Sequence, residues 1–161
     1  MTVVSPMSGR VVALEDVPDE VFAQRIVGDG LAIEPESGEV VAPITGRVAK
    51  LFRGGHGVVV EGDDGVQVLV HVGIDTVRLR GRGFAVLAAE GQRVEAGDAI
   101  LRADVEWLRA EGVELLSPVL VISGQRVTPA AQGRVAAGQP LLEVESICPP
   151  LEPPGGGVEG G

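Results

Sequence analysis

The sequence predicts an all-β fold, a β-sandwich or barrel-like structure made from an internally duplicated β motif with one or two short helical segments. Three observations carry that expectation. First, short valine-rich runs alternate with Gly, Pro, Asp and Ser: GRVVAL (9–14), GEVVA (38–42), GRVAKLF (46–52), GVVVE (57–61), VQVLVHV (66–72), TVRLRG (76–81) and PVLVIS (118–123). Short β-branched runs bounded by turn residues are strand signals. Second, the sequence repeats itself: SPMSGRVVAL (5–14) is echoed by APITGRVAKL (42–51), and QRVEAGDAIL (92–101) by GRVAAGQPLL (133–142). Such echoes point to paired copies of one unit. Third, helical signals are confined to two places. DVEWLRAEG (104–112) opens on an Asp suited to the N-cap and closes on Gly, and DEVFAQR (19–25) suggests one shorter helical turn.

The 161 residues fit one domain, drawn at 1–146, followed by a tail at 147–161. The core must come from Val, Leu, Ile and Ala, because the chain has three Phe, one Trp (Trp107, read as packing) and no Tyr. The last residues, CPPLEPPGGGVEGG (148–161), are dominated by Pro and Gly and cannot bury a face; they read as a disordered tail or a linker. A net charge of −10 argues against nucleic acid, which selects basic surfaces, and suits basic partners. The lone Cys148 excludes an internal disulfide and a cysteine-based zinc cluster, and fits a reducing compartment. No apolar run approaches the roughly 20 residues of a membrane span, and no signal-peptide pattern opens the chain. A cytoplasmic location is expected.

Both histidines fall in HGVVVEGDDGVQVLVHVGIDT (56–76). Centring a two-residue hairpin loop on Asp63-Asp64 makes paired positions sum to 127. Val58 then faces Leu69 and His56 faces His71. Directly opposed residues share a face, with Cβ atoms about 4.5–5.5 Å apart, and a one-residue slip sends one of them to the other side. Neighbouring imidazoles suit three chemistries. They could ligate a metal, although catalytic zinc takes three protein ligands and the nearest third candidate is Asp75. They could act as base to a nucleophile, but no G-x-S-x-G pattern is present. One imidazole could itself carry a covalent group while the other orients it. Spacing alone leaves these open, beside the reading of two ordinary β-surface histidines.

VQVLVHVGIDTVRLRGRGF (66–84) resembles the active-site segment of the glucose-type enzyme IIA domain of the bacterial phosphoenolpyruvate-dependent sugar phosphotransferase system. That segment reads apolar-apolar-His-apolar-Gly-apolar-Asp-Thr-Val, then a Leu and Gly-x-Gly-Phe, and every one of these elements is here. Segments 15–35, 40–48, 90–101 and 118–123 also resemble the family, in family order, so the resemblance covers about residues 3–145. It implies a β-sandwich with a duplicated motif and a phosphocarrier activity. His71 would receive a phosphoryl group from phosphohistidine on the carrier HPr. It would then hand the group to a cysteine on a IIB domain, which phosphorylates a sugar, glucose or N-acetylglucosamine, entering through a membrane domain. His56 would sit beside His71 and orient or stabilise the phosphoryl group. No cofactor is required; zinc at the His56–His71 pair is the one metal considered. The family usually shows Thr-x-His-Ala around the second histidine, where this chain has Gly54 and Gly57.

The remaining site residues follow from that reading. Val21, Phe22, Ile26 and Val27 form an apolar docking collar, and Phe52, Leu69 and Val77 match further docking positions. Asp19 and Asp75 are placed to pair with arginines on HPr. Gly73 permits close approach, with backbone N–H groups around it donating to the phosphoryl oxygens. Two alternatives accompany it: a regulatory binding module using the same surface, and a zinc hydrolase built on His56, His71 and Asp75. The only lysine, Lys50, lies in VAKLF rather than at a Met-Lys-Met hairpin tip, which speaks against a lipoyl or biotin carrier.

Overall fold

The structure is a computed structural model that describes residues 1–24, 27–74 and 76–145, with the backbone alone at Val77. Ile26, Asp75 and the expected tail therefore lie outside the described residues. In chain order the first strands are β1 (Thr2–Val4), β2 (Gly9–Ala13), β3 (Asp29–Pro35), β4 (Glu39–Val41), β5 (Gly46–Leu51), β6 (Gly57–Glu61) and β7 (Gln67–His71). They are followed by β8 (Phe84–Val86), β9 (Arg93–Val94), β10 (Ala99–Ala103), β11 (Ser117–Val121), β12 (Val127–Pro129), β13 (Arg134–Val135) and β14 (Pro140–Val144). Among the described residues there are also two α-helices, α1 (Glu20–Ala23) and α2 (Val105–Ala110), with 3-10 turns at Leu14–Asp16 and Thr76–Leu79.

One antiparallel sheet has eight strands in the order β13-β2-β3-β11-β7-β6-β5-β9, and two three-stranded sheets run β1-β14-β12 and β4-β10-β8. The order reads alike from both ends. β13-β2-β3-β11 is answered by β9-β5-β6-β7, and β1-β14-β12 by β4-β10-β8. The sequence echoes fall on equivalent strands, β2 with β5 and β9-β10 with β13-β14. Their connecting hydrogen bonds also repeat. Ser5 N–H donates to the Gln139 carbonyl (2.7 Å) and its own carbonyl accepts from Gly138 N–H (2.9 Å); Ala42 does the same with Asp98 (2.8 Å) and Gly97 (2.9 Å). The glycine kept in both copies has a steric reason: a Cβ at Gly9 or Gly46 would stand 2.1 Å from the carbonyl oxygen of Glu34 or Glu61.

Strand alternation divides the apolar residues between two clusters. Val58, Val60, Val68 and Val70 face the main core with Ile33, Ile44, Ile100, Leu108 and Leu141. Their neighbours Val59 and Leu69 point to the other side of the sheet, where they join Leu14, Val17, Ala32 and Leu120 in a smaller cluster. Both faces of the central strands are thus apolar, which is why these strands read as continuous valine runs rather than as strict alternation. Phe22, Phe52, Val27 and Ile74 pack over the smaller cluster. The candidate site stands on this outer layer.

The helical expectations hold. The Asp104 carboxylate caps α2 by accepting from Trp107 N–H (3.1 Å), and Gly112 beyond its end has φ +79°. The Asp19 carboxylate caps α1 through Val21 N–H (2.9 Å). Trp107 is half-buried against the main core, with the Arg82 guanidinium 5.6 Å from its ring centre.

Two expectations need correction. Residues 76–81 are not a strand: Thr76–Leu79 form a 3-10 turn, and Arg80 (φ 55°) and Gly81 (φ 89°) then enter the left-handed region, which ends any extended run. The hairpin loop is also one residue longer than expected. Gly62 N–H donates to the Val66 carbonyl (2.8 Å) and Gly65 N–H to the Gly62 carbonyl (3.0 Å), with Gly65 at φ 89°. This is a three-residue loop that closes on a left-handed glycine, the common alternative to a two-residue turn. Paired positions therefore sum to 128, giving Gly57↔His71, Val58↔Val70 and Val59↔Leu69. At the loop tip Asp63 accepts two hydrogen bonds from Arg93 of β9 (both 2.9 Å), which holds its carboxyl below the usual range. No helix among the described residues is long and apolar enough to cross a membrane.

Candidate functional site

His71 ends β7 on the outer face of the eight-stranded sheet, directly opposite Gly57. His56 lies one residue before β6 and is 4% exposed. In the observed register its backbone is paired with Val72, whose N–H donates to the His56 carbonyl (2.7 Å). Regular alternation would then turn the His56 ring toward the core side, with the buried Val72. It does not, because the chain reaches His56 through Gly54 (φ 95°) and Gly55 (φ 87°), and their left-handed turn replaces strand geometry. The two imidazoles meet with ring centres 5.2 Å apart and planes inclined at 74°. The expected neighbours are present, by a loop twist and not by the cross-strand pairing first drawn.

Two phenylalanines complete a wall of rings. Phe22 of α1 lies 5.4 Å from His71, and Phe52 lies 5.4 Å from His56 and 6.0 Å from His71. Gly57 makes room for this: a Cβ there would stand 2.8 Å from Cδ2 of Phe52. The glycine at this departure from the family pattern is thus occupied by an aromatic ring. The Lys50 ammonium sits 5.7 Å from the Phe52 ring centre.

Each imidazole is held through the backbone. His71 Nδ1 lies 2.7 Å from the Gly73 carbonyl oxygen. A carbonyl only accepts, so Nδ1 carries the proton and the Nε2 lone pair is free. His56 makes a backbone hydrogen bond to Arg53, which supplies a partner where the family pattern has a threonine hydroxyl. Burial lowers the pKa of both rings. At His71 this outweighs the Gly73 bond and the nearby Asp19 carboxylate, which act upward; at His56 the charge of His71 lowers it further and the Arg53 bond raises it. Both rings are neutral near pH 7, the form in which imidazole is a nucleophile.

These depressed values link folding to pH. The unfolded chain binds protons on His56 and His71 more readily than the folded one. Their contribution to stability is complete above the ordinary imidazole value of 6.5 and is lost as pH falls through the lower folded values. Urea midpoints taken from pH 7.5 downward are expected to fall on the acid side of 6.5, and to fall less in a His56→Gln/His71→Gln double variant. Equal slopes in the two proteins would refute this link.

The remaining expected residues are placed as follows. Val21 is 46% exposed beside Phe22, and Val27 is half-buried on the outer cluster. Asp19, at the N-cap of α1, is close enough to act on His71. Leu69 is only 4% exposed, so it supports the rings from below and offers no docking surface. Gly73 is buried, and its N–H donates to Ser117 Oγ (3.0 Å). Ile74 N–H donates to the Glu114 carbonyl (2.9 Å). The N–H groups of Val72, Gly73 and Ile74 are therefore all engaged within the fold, so these three of the donors expected around Gly73 do not serve a phosphoryl group. Ile26, Asp75 and the side chain of Val77 lie outside the described residues. Sequence reasoning missed the Arg53 carbonyl, Ser117 and Thr76. A serine inside the buried run LLSPVLVIS was the one available signal. Among the described residues no group of three His, Cys, Asp or Glu could hold a metal. The histidine pair thus offers one protein ligand fewer than catalytic zinc commonly takes.

A duplicated all-β domain thus presents a pair of histidines on the outer face of its eight-stranded sheet. The chain belongs to the family described as phosphoenolpyruvate-dependent sugar phosphotransferase system, EIIA 1, matching it over residues 1–127. It is a glucose-type member. It is 45% identical over 148 residues to the PTS system N-acetylglucosamine-specific EIICBA component of Klebsiella pneumoniae; the match covers 89% of this chain but spans only 23% of that protein. It is 39% identical over 140 residues to the PTS system glucose-specific EIIA component of Buchnera aphidicola subsp. Acyrthosiphon pisum, covering 86% of this chain and 87% of the relative. The solved structure of glucose permease IIA from Mycoplasma capricolum superimposes with a TM-score of 0.84 at 31% identity, covering 88% of this chain and 94% of the other.

Proposed function

We propose that this chain is the phosphocarrier of a cytoplasmic sugar phosphotransferase relay, with His71 as the residue that carries the phosphoryl group. The observation that carries the reading is His71 itself: a neutral imidazole, fixed as the Nδ1–H tautomer by Gly73 and walled by His56, Phe22 and Phe52. The Nε2 lone pair attacks phosphorus on the phosphohistidine of HPr. The donor P–N bond breaks and its electron pair returns to the donor imidazole. In the onward step a thiolate on a IIB domain attacks phosphorus and the P–Nε2 bond breaks, with the pair returning to His71. Such transfers are catalysed mainly by positioning and charge stabilisation. His56, neutral and adjacent, stabilises the phosphoryl oxygens. Phe22, Phe52 and the exposed Val21 form the apolar collar that excludes water while partners exchange, and Asp19 meets a partner arginine.

The domain would comprise residues 1–146, with 147–161 leading to another segment or ending as a tail. The sugar is glucose or N-acetylglucosamine, the two specificities carried by the relatives' names. No cofactor enters the transfer; zinc at the His56–His71 pair is at most accessory. The direct test is incubation with phosphoenolpyruvate, enzyme I and HPr, which should give one acid-labile phosphate per chain; absence of label sinks the reading. His56→Gln should still accept phosphate but pass it to a IIB domain about ten- to a hundredfold more slowly, the usual range for losing a supporting partner at a reactive centre. Wild-type onward transfer would remove His56 from the mechanism. The exposed Val21 beside Phe22 also favours a second reading, a regulatory module that grips other proteins with the same collar. Pull-downs with phosphorylated and free protein compare the two.

A further inference from the structure

We infer that Ser117 and Thr76 are positioning residues of the His71 site. Their buried hydroxyls lock the peptide unit preceding Gly73, and so aim the carbonyl that selects the His71 tautomer. The inference rests on the phosphocarrier reading only for its kinetic consequence; the tautomer is a property of the free protein.

Two successive peptide units follow His71, and each is held at both ends. In the first, the Val72 carbonyl accepts from Thr76 Oγ1 (2.7 Å) and the Gly73 N–H donates to Ser117 Oγ (3.0 Å). In the second, the Gly73 carbonyl accepts from His71 Nδ1 (2.7 Å) and the Ile74 N–H donates to the Glu114 carbonyl (2.9 Å). Ser117 is itself anchored, since its hydroxyl proton goes to the Leu115 carbonyl (2.8 Å). Thr76 is 1% exposed and Ser117 is fully buried, so water does not substitute for either hydroxyl.

The second unit also forms a relay, from the imidazole N–H through the Gly73–Ile74 peptide to Glu114. Donation at one end of a peptide strengthens acceptance at the other. The His71 proton is thereby tied to Nδ1, and Nε2 is left as the open nitrogen. Among the described residues that fix the two units besides His71, only Ser117 and Thr76 act through side chains, so they are the groups mutation can remove. Neither touches the reacting nitrogen; both act through Gly73. Alanine at 117 leaves the Gly73 N–H buried without an acceptor, a state the backbone relieves by rotating. Rotation there turns the Gly73 carbonyl away from Nδ1.

The experiment is 15N NMR of histidine-labelled free protein, followed by phosphoryl transfer from phospho-HPr. The wild type is expected to show one His71 tautomer, protonated at Nδ1. Ser117→Ala should show both tautomers, accept phosphate about tenfold more slowly at an unchanged half-saturating donor concentration, and carry part of its phosphate on Nδ1. Ser117→Thr should restore the single tautomer and the rate. Thr76→Val and Thr76→Ser form a second loss-and-rescue pair, which carries the test if Ser117→Ala does not fold. A single Nδ1–H tautomer with wild-type rate in both Ser117→Ala and Thr76→Val overturns the inference. A tautomer change in a protein that takes no phosphate from HPr upholds the positioning and overturns the phosphocarrier reading instead.

Discussion

His71→Ala is expected to abolish phosphoryl acceptance, lowering label from phosphoenolpyruvate, enzyme I and HPr by roughly a thousandfold or more, as loss of a covalent nucleophile does. The structure gives reasons to expect a clean loss. His71 sits on the outer face of the sheet, over the smaller apolar cluster, and contributes no packing to the main core. Deleting its ring removes contacts with Phe22 and Phe52 but leaves the β6–β7 ladder intact. The variant should therefore fold, with a circular-dichroism spectrum like that of the wild type. His56 cannot take over: it is more deeply buried, is tied to Arg53 and lacks the Gly73 carbonyl that prepares His71. Label that persists in His71→Ala, mapped by mass spectrometry to His56, would move the carrier role and reverse the assignment of the two rings.

The site was legible in the sequence to an uneven depth, and the reasons are physical. Both histidines stood out as candidates because a rare residue type lay in one short segment with an extended family pattern around it. Their proximity came through for the wrong reason. Pairing arithmetic assumed a two-residue loop at Asp63-Asp64, whereas Gly65 closes a three-residue loop and shifts every partner by one. That shift alone would have separated the rings, and the left-handed pair Gly54-Gly55 brought them back. Turn composition does not disclose which of several glycines takes positive φ, so two errors of one kind cancelled. The duplicated architecture was clearer, because the repeat is written in residues: Gly9 and Gly46 each allow a neighbouring carbonyl to approach to a distance no Cβ permits. The 3-10 turn after His71 was missed since TVRLRG alternates like a strand; what overrides the pattern is the Thr76 hydroxyl on Val72 and the left-handed Arg80. Backbone acceptors such as Arg53 and Gly73 have no sequence signature at all.

The second large effect concerns the departure at Gly54. Restoring the family's threonine there should harm this protein. Gly54 has φ 95°, a region in which a β-branched residue is a genuine outlier. A Cβ at this position would also stand 2.9 Å from the Gly81 nitrogen and 3.2 Å from its Cα, both backbone atoms. Gly81 is itself left-handed at φ 89°, and the two loops touch through the space where side chains are missing. A single residue held in unfavourable φ/ψ costs about 1–3 kcal/mol. With the backbone contact added, Gly54→Thr should lose about 3 kcal/mol, roughly a hundredfold in the folding constant. The strain falls on the segment that carries the Arg53 carbonyl and the His56 ring. On the proposed mechanism, onward transfer to a IIB domain should therefore slow more than acceptance from HPr, because the Nδ1 bond that prepares His71 comes from Gly73, outside this loop. A Gly81→Ala variant approaches the same contact from the other side, its Cβ 3.2 Å from the Gly54 Cα and oxygen, and should show the same ordering of defects. The prediction fails if Gly54→Thr matches the wild type in urea midpoint and in both transfer rates. In that event the threonine has found room, the loop has a second conformation, and the Arg53 bond is not what orients His56.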